Sequence, residues 1–206
     1  MAKKKQAILN AATILFAEKG FKETSIAELA QITNSAEGTI FYHFKTKTDL
    51  LLAVLDGVRE GILSEFESYI GQREFATGLE MMEGVISFFL YLAGHKREWF
   101  LLIQRNFPYE LARVNDDCRS HLGAIHNTLL DLFEGAILRG QKDGSIRPGQ
   151  ARKTALILFS LINGVLWMKL YDLYDTGTLY PELLTACHRL LASDEMTRTG
   201  DEEQNT

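Results

Sequence analysis

Only three prolines and two cysteines occur among the 206 residues. Cys118 and Cys187 are far apart and outside any C-x-x-C spacing, so neither a zinc finger nor a disulfide scaffold is indicated, and a reducing interior is the default. Cys118 with His121 and His126 suggests no metal site either, because the two histidines stand about 140° apart on a helix. No valine-rich alternating segment exists, so strands lack support and the chain reads as nearly all helix. A Gly-rich phosphate loop, a nucleophile elbow, an H-E-x-x-H motif and a paired-carboxylate arrangement are all missing. An enzyme is therefore not expected, nor is a cofactor. The longest apolar stretch, Ala155 to Met168, contains Ser160 and Asn163 and is shorter than the roughly 20 residues of a membrane span. The N-terminal "MAKKKQAILNAATILF" is interrupted by Asn10 and Thr13, with its apolar residues at helical spacing, and is no signal peptide. The expectation is a cytoplasmic protein with no membrane partner.

What is present is unevenly distributed. The net charge is −5, yet residues 1–50 carry seven lysines against five acids, a net of +2 that leaves −7 on the remainder. A mildly basic head on an acidic body suits an anionic partner at one end. Ile8, Ala11, Ala12, Leu15 and Phe16 mark one face of a first helix, closed by Gly20 with Phe21 folding back on Phe16. Ser25 and Glu28 form a capping-box pattern for a second helix. Asn34 tolerates the left-handed backbone of a tight turn. "AEGTIFYHF" is then a short third helix that Ile40 and Phe44 anchor, with Ser35 available as its cap. Thr46 and Asp49 cap a long fourth helix that runs to about Ile70.

A glycine costs about 1 kcal/mol against alanine in a helix interior, and clustered aromatics on so short a helix cannot all face one core. The third helix makes sense as the recognition helix of a helix-turn-helix, with one face anchored and the other free for the major groove of double-stranded DNA. Glu37, Thr39, Tyr42 and His43 then point toward DNA, and Gly38 permits close backbone approach. Lys45, Lys47, Thr24 and Ser25 flank it as phosphate contacts, with the free N–H groups of the second and fourth helices. The basic run at residues 3–5 is positioned to track phosphates.

Residues 24–50, "TSIAELAQITNSAEGTIFYHFKTKTDL", resemble the DNA-binding signature of the TetR/AcrR family of regulators. Thr24, Ala30, Gly38, Thr39, His43, Phe44, Lys47 and Leu50 match its pattern. The chain departs from it at Asn34, which replaces the turn glycine, and at Phe41, which replaces a tyrosine whose hydroxyl commonly reaches a phosphate. That contact then falls to Tyr42. The helix also lacks arginine, so the bidentate Arg–guanine contact is not available from it.

The segment 151–175 is hydrophobic almost all round and needs a second surface to cover it. The resemblance implies a homodimer in which two helices per subunit form a four-helix interface. Leu156, Ser160, Gly164 and Trp167 are expected there from one helix, and Leu183, Cys187 and Leu190 from the last. It also implies an effector pocket in the C-terminal part. Its candidate apolar lining is Phe66, Phe89, Trp99, Phe100, Phe133 and Trp167, with Arg105, His126 and Asn127 as polar fixtures. The resulting expectation is all-α: a three-helix DNA-binding domain over 1–48, an effector-binding and dimerisation domain over 49–192, and a disordered acidic tail over 193–206. The function expected is a ligand-responsive transcriptional regulator, usually a repressor in this family, released by a small and largely apolar effector. A helix-turn-helix protein whose first domain binds a protein partner is the alternative.

Overall fold

The computed structural model describes residues 2–175 and 177–193; the expectation for the acidic tail concerns residues that, Ser193 apart, lie outside this range. Among the described residues ten α-helices follow one another: α1 Ala2–Glu18, α2 Ile26–Ile32, α3 Glu37–His43, α4 Lys47–Ile70, α5 Gly78–His95, α6 Arg97–Gln104, α7 Asn106–Ala112, α8 Asp116–Asp143, α9 Ala151–Leu170 and α10 Tyr180–Leu191. Among the described residues there is no strand, only an isolated bridge between Ile146 and Ala192.

The chain forms two compact units, and neither is contiguous. The first comprises Met1–Glu65 with His95–His126, the second Phe66–Gly94 with Asn127–Thr206. This composition differs from a linear division at residue 48. Most of α4, together with α6, α7 and the start of α8, belongs with the helix-turn-helix.

In the first unit the helix ends follow from local chemistry. Gly20 takes φ 96°, its N–H reaches the Leu15 carbonyl at 3.2 Å, and the Phe21 ring lies 5.3 Å from Phe16. The Ser25 hydroxyl accepts the Glu28 N–H at 3.0 Å. The Glu28 carboxylate pairs with Lys19 instead of returning to the cap, so only half of the capping box forms. Asn34 adopts φ 45°. At the start of α4 the box is complete: Asp49 N–H donates to the Thr46 hydroxyl at 3.0 Å, and Thr46 N–H to the Asp49 carboxylate at 2.9 Å. One cap differs from expectation. Ala36 precedes α3 with no side-chain cap, because the Ser35 hydroxyl donates to the Thr33 carbonyl within the turn.

The second unit is closed around aromatic rings. Phe89, Phe133 and Phe159 pack edge to face, with centroids 5.6 to 6.2 Å apart. The N-terminus of α5 abuts the end of α8: a Cβ on Gly78 would lie 2.0 Å from the Gly140 nitrogen. Gly78 N–H donates to Asp143 at 2.7 Å and Leu79 N–H to Ser145 at 3.1 Å. Hydrogen bonds from the Ser145 side chain and from its N–H at 3.0 Å, with that from Gly78, hold the Asp143 carboxyl below its ordinary range.

Helix α9 corrects the reading of its hydropathy. The helix extends beyond the 155–168 stretch and, by length and composition, is long and apolar enough to cross a bilayer, with 33% of its apolar window buried. Leu158, Ile162, Leu166 and Leu170 face the core, whereas Leu156, Ile157, Leu161 and Trp167 are exposed. Its hydrophobicity therefore belongs to two faces, one internal and one unpartnered.

Candidate nucleic-acid interface

Helix α3 is fixed by its inner face alone. Ile40 is fully buried and Phe44, just past the helix, nearly so, whereas Phe41 is 45% and Tyr42 74% exposed. Glu37 and Gly38 are exposed, Thr39 and His43 half-buried. No atom lies within 4 Å of where a Gly38 Cβ would be, so packing inside the subunit does not require this glycine. The Tyr42 ring meets His43 edge to face at 5.2 Å and 75°, and His43 in turn lies 6.2 Å from Phe44.

The flanking groups divide. Lys45 is exposed. Ser25 is exposed, its hydroxyl occupied as the α2 cap. Thr24 is 1% exposed, and its hydroxyl donates to the Gly20 carbonyl at 2.9 Å. That side chain closes the α1–α2 loop and is corrected from a surface contact to a structural one. Lys47 is half-buried, with its ammonium 4.5 Å from the centre of the Phe21 ring and 3.4 Å from the Lys22 carbonyl. Burial pushes its pKa down, and the Glu23 charge opposes that shift. A phosphate at this corner would compete with the ring for the ammonium. Lys4 bonds the Asn34 carbonyl at 2.9 Å and Lys5 sits over the Phe44 ring, so this part of the basic run braces the turn and α3.

Sequence reasoning missed what supports the head from behind. Arg105, at the α6–α7 junction, donates to the Ala17 carbonyl at 2.8 Å and also to Glu18, capping the end of α1. Phe107 stacks on Phe21, with centroids 4.2 Å apart and planes 9° from parallel. No local pattern signals either contact, because the partners are more than 80 positions apart.

The residues assigned to an effector pocket do not share one role. Phe89, Phe100 and Phe133 are buried, and Phe66 packs against Phe88 at 5.2 Å. Arg105 is the α1 cap. His126 bonds the Tyr109 hydroxyl at 3.0 Å, while Asn127 accepts from Arg152 at 2.9 Å. Trp167 is exposed and lies 5.3 Å from Tyr171. Trp99 lines an open cavity of about 420 Å3 formed by α1, α4 and α6, with Lys5, Asn10, Asp56 and Gly57 among its walls. Of these side chains only Trp99 borders that cavity; aromatic content alone does not distinguish a filled core from a lined pocket.

On the expected dimer face, Leu156, Ser160, Gly164, Trp167 and Leu190 are exposed. Leu183 and Cys187 are instead buried within the subunit, on the inward stripe of α10, and burial raises the Cys187 thiol to about 11. A cavity of about 240 Å3 has Ile146, Ile157, Leu158 and Leu190 in its walls.

A short, half-anchored helix after a left-handed turn, with lysines on its flanks, defines a helix-turn-helix DNA-binding protein. Comparison with known proteins refines this class. Residues 8–54 match the family described as "Bacterial regulatory proteins, tetR family". The fatty acid metabolism regulator protein of Bacillus subtilis is 26% identical over 185 residues, covering 87% of this chain and 92% of that protein. The crystal structure of FadR from Bacillus subtilis in complex with stearoyl-CoA aligns with a TM-score of 0.72 at 24% identity, over 90% of this chain and 98% of that one. A putative transcriptional regulator from Saccharomonospora viridis in complex with choline aligns with a TM-score of 0.78 at 21% identity, over 94% and 100%. Residues 8–54 thus carry the N-terminal domain of the TetR family, and the curated relatives that the chain resembles over most of its length are transcriptional regulators.

Proposed function

We propose that the protein is a cytoplasmic, homodimeric repressor that binds a pseudo-palindromic operator and leaves it when a small, largely apolar effector binds. The observation that carries this reading is the bare outer face of α3, anchored only through Ile40 and Phe44 and flanked by Lys45 and Lys47. The exposed aliphatic face of α9 supports dimerisation. Two-fold symmetry then matches half-sites roughly 35 Å apart.

Release requires that effector binding disturb that spacing. Helix α4 starts directly behind α3 and passes from the first unit into the second, and Arg105 ties the α6–α7 junction to the end of α1. A ligand shifts the population of head positions only by its differential affinity for the two states. The likeness to a regulator crystallised with stearoyl-CoA makes long-chain acyl thioesters the first compounds to test.

The test is a footprint on the DNA upstream of the protein's own gene and on a genomic library, repeated across salt concentrations and with stearoyl-CoA. A protected pseudo-palindrome lost on adding the thioester is the expected result. No protection of any DNA at low salt would overturn the operator reading. Protection that no apolar compound relieves would overturn the effector reading.

A further inference from the structure

Helix α3 contains no arginine, lysine, asparagine or glutamine, the side chains that read guanine or adenine by paired hydrogen bonds. Its outward face instead carries two exposed aromatic rings, Phe41 and Tyr42, beside Glu37. Gly38 lies three and four residues before Phe41 and Tyr42, so all three are neighbours on the helix surface. The glycine leaves open space beside the two rings, with no atom within 4 Å of a Cβ position. Both rings are exposed, at 45% and 74%, and Tyr42 meets His43 edge to face. The face is thus a small gap bordered by exposed aromatic surface.

In the major groove the 5-methyl group of thymine is the one apolar feature that a base edge presents. We propose that the Gly38–Phe41–Tyr42 face reads thymine methyl groups at one or two positions of each half-site. The proposal rests on the operator-binding reading given above. It gives the rings of Phe41 and Tyr42 a role in base reading, in place of the phosphate contact expected of Tyr42.

The test begins with selection of binding sequences from a random duplex library by the full-length protein. Each thymine of the selected half-site is then replaced by deoxyuridine, which removes only the methyl. Burial of one methyl corresponds to about a fourfold change in affinity, and a loss of that size is expected at one or two positions per half-site. Phe41→Asn or Tyr42→Asn should abolish the thymine–uracil difference at its own position, while Phe41→Leu should retain it. Low-salt affinity for unselected DNA and the circular dichroism spectrum of each variant separate loss of reading from loss of fold. Selected sites that bind equally well with uracil at every thymine would overturn this proposal and leave the operator reading intact. A thymine preference that survives in both asparagine variants would also overturn it. Failure to enrich any sequence would overturn both.

Discussion

Helices α3 and α9 both present large apolar side chains to solvent, for opposite structural reasons. Helix α3 has seven residues, a glycine at its second position and no side-chain cap. It is held in place by Ile40, Phe44 and the neighbouring turn. Helix α9 has 20 residues, and Leu158, Ile162, Leu166 and Leu170 bury its inner face. The outer face of α3 interrupts its rings with Glu37 and Gly38 and is flanked by lysines. That of α9 is aliphatic over Leu156, Ile157 and Leu161, with small residues at 160 and 164. A mixed face rimmed by positive charge complements a polar, anionic groove; a continuous aliphatic face complements another such face. The contrast shows that exposed hydrophobicity alone does not identify a partner. Its polar surroundings do.

The strongest way to break the contrast is to charge α9. Ile157 is 64% exposed, so Ile157→Asp should fold normally as a subunit. In a dimer it would bury an uncompensated charge, at a cost of about 3–5 kcal/mol. Sedimentation equilibrium should show dimer dissociation raised roughly a hundredfold or more, with operator affinity falling in parallel. An unchanged dimer would remove this face from the interface. Arg105→Ala tests the support behind α3 rather than its surface. The charge-assisted bonds to the end of α1 contribute about 1.5–3 kcal/mol, and urea unfolding should reveal a loss of that order.

Gly38→Ala sharpens the comparison most directly, because the two sides of its effect have opposite signs. The added methyl meets nothing in the free protein, so the helix should gain up to about 1 kcal/mol in thermal unfolding. Operator affinity should nevertheless fall. A variant that is both more stable and equally tight on DNA would separate Gly38 from the groove. The smallest effect expected is a pH dependence. Burial holds His126 below its ordinary pKa, so the unfolded chain binds the proton more readily. Stability from this site is fully present above pH 6.5 and declines as pH falls through 6.5 toward the folded pKa. Urea midpoints at pH 7.5 and 5.0 should differ less in His126→Gln than in the parent.

The features legible in the sequence were those settled within a few residues: the Gly20 closure, the Ser25 cap, the left-handed Asn34 and the reciprocal Thr46–Asp49 box. Each depends on a short side chain meeting a nearby backbone group, so spacing alone encodes it. Ser35 differs from expectation because its hydroxyl can accept a helix N–H as a cap or donate to a turn carbonyl, and it donates to the Thr33 carbonyl while Ala36 takes the cap position. Thr24 and Lys47 lie at positions where the motif suggests surface contact, yet burial depends on what packs over them, which spacing does not record. Arg105 and Phe107 reach partners encoded far away. The effector pocket was the least legible part. A phenylalanine at helical spacing looks the same whether it fills a core, as Phe133 does, or borders a cavity.

Two glycines carry a consequence for how this sequence tolerates change. At Gly78 any side chain would strike the backbone of α8, so substitutions there should remove the protein itself from a cell. At Gly38 substitutions should leave abundance untouched and remove only its effect on transcription. A mutational scan scored once for protein level and once for promoter output would therefore place these two positions in opposite quadrants, although both encode the same absent side chain.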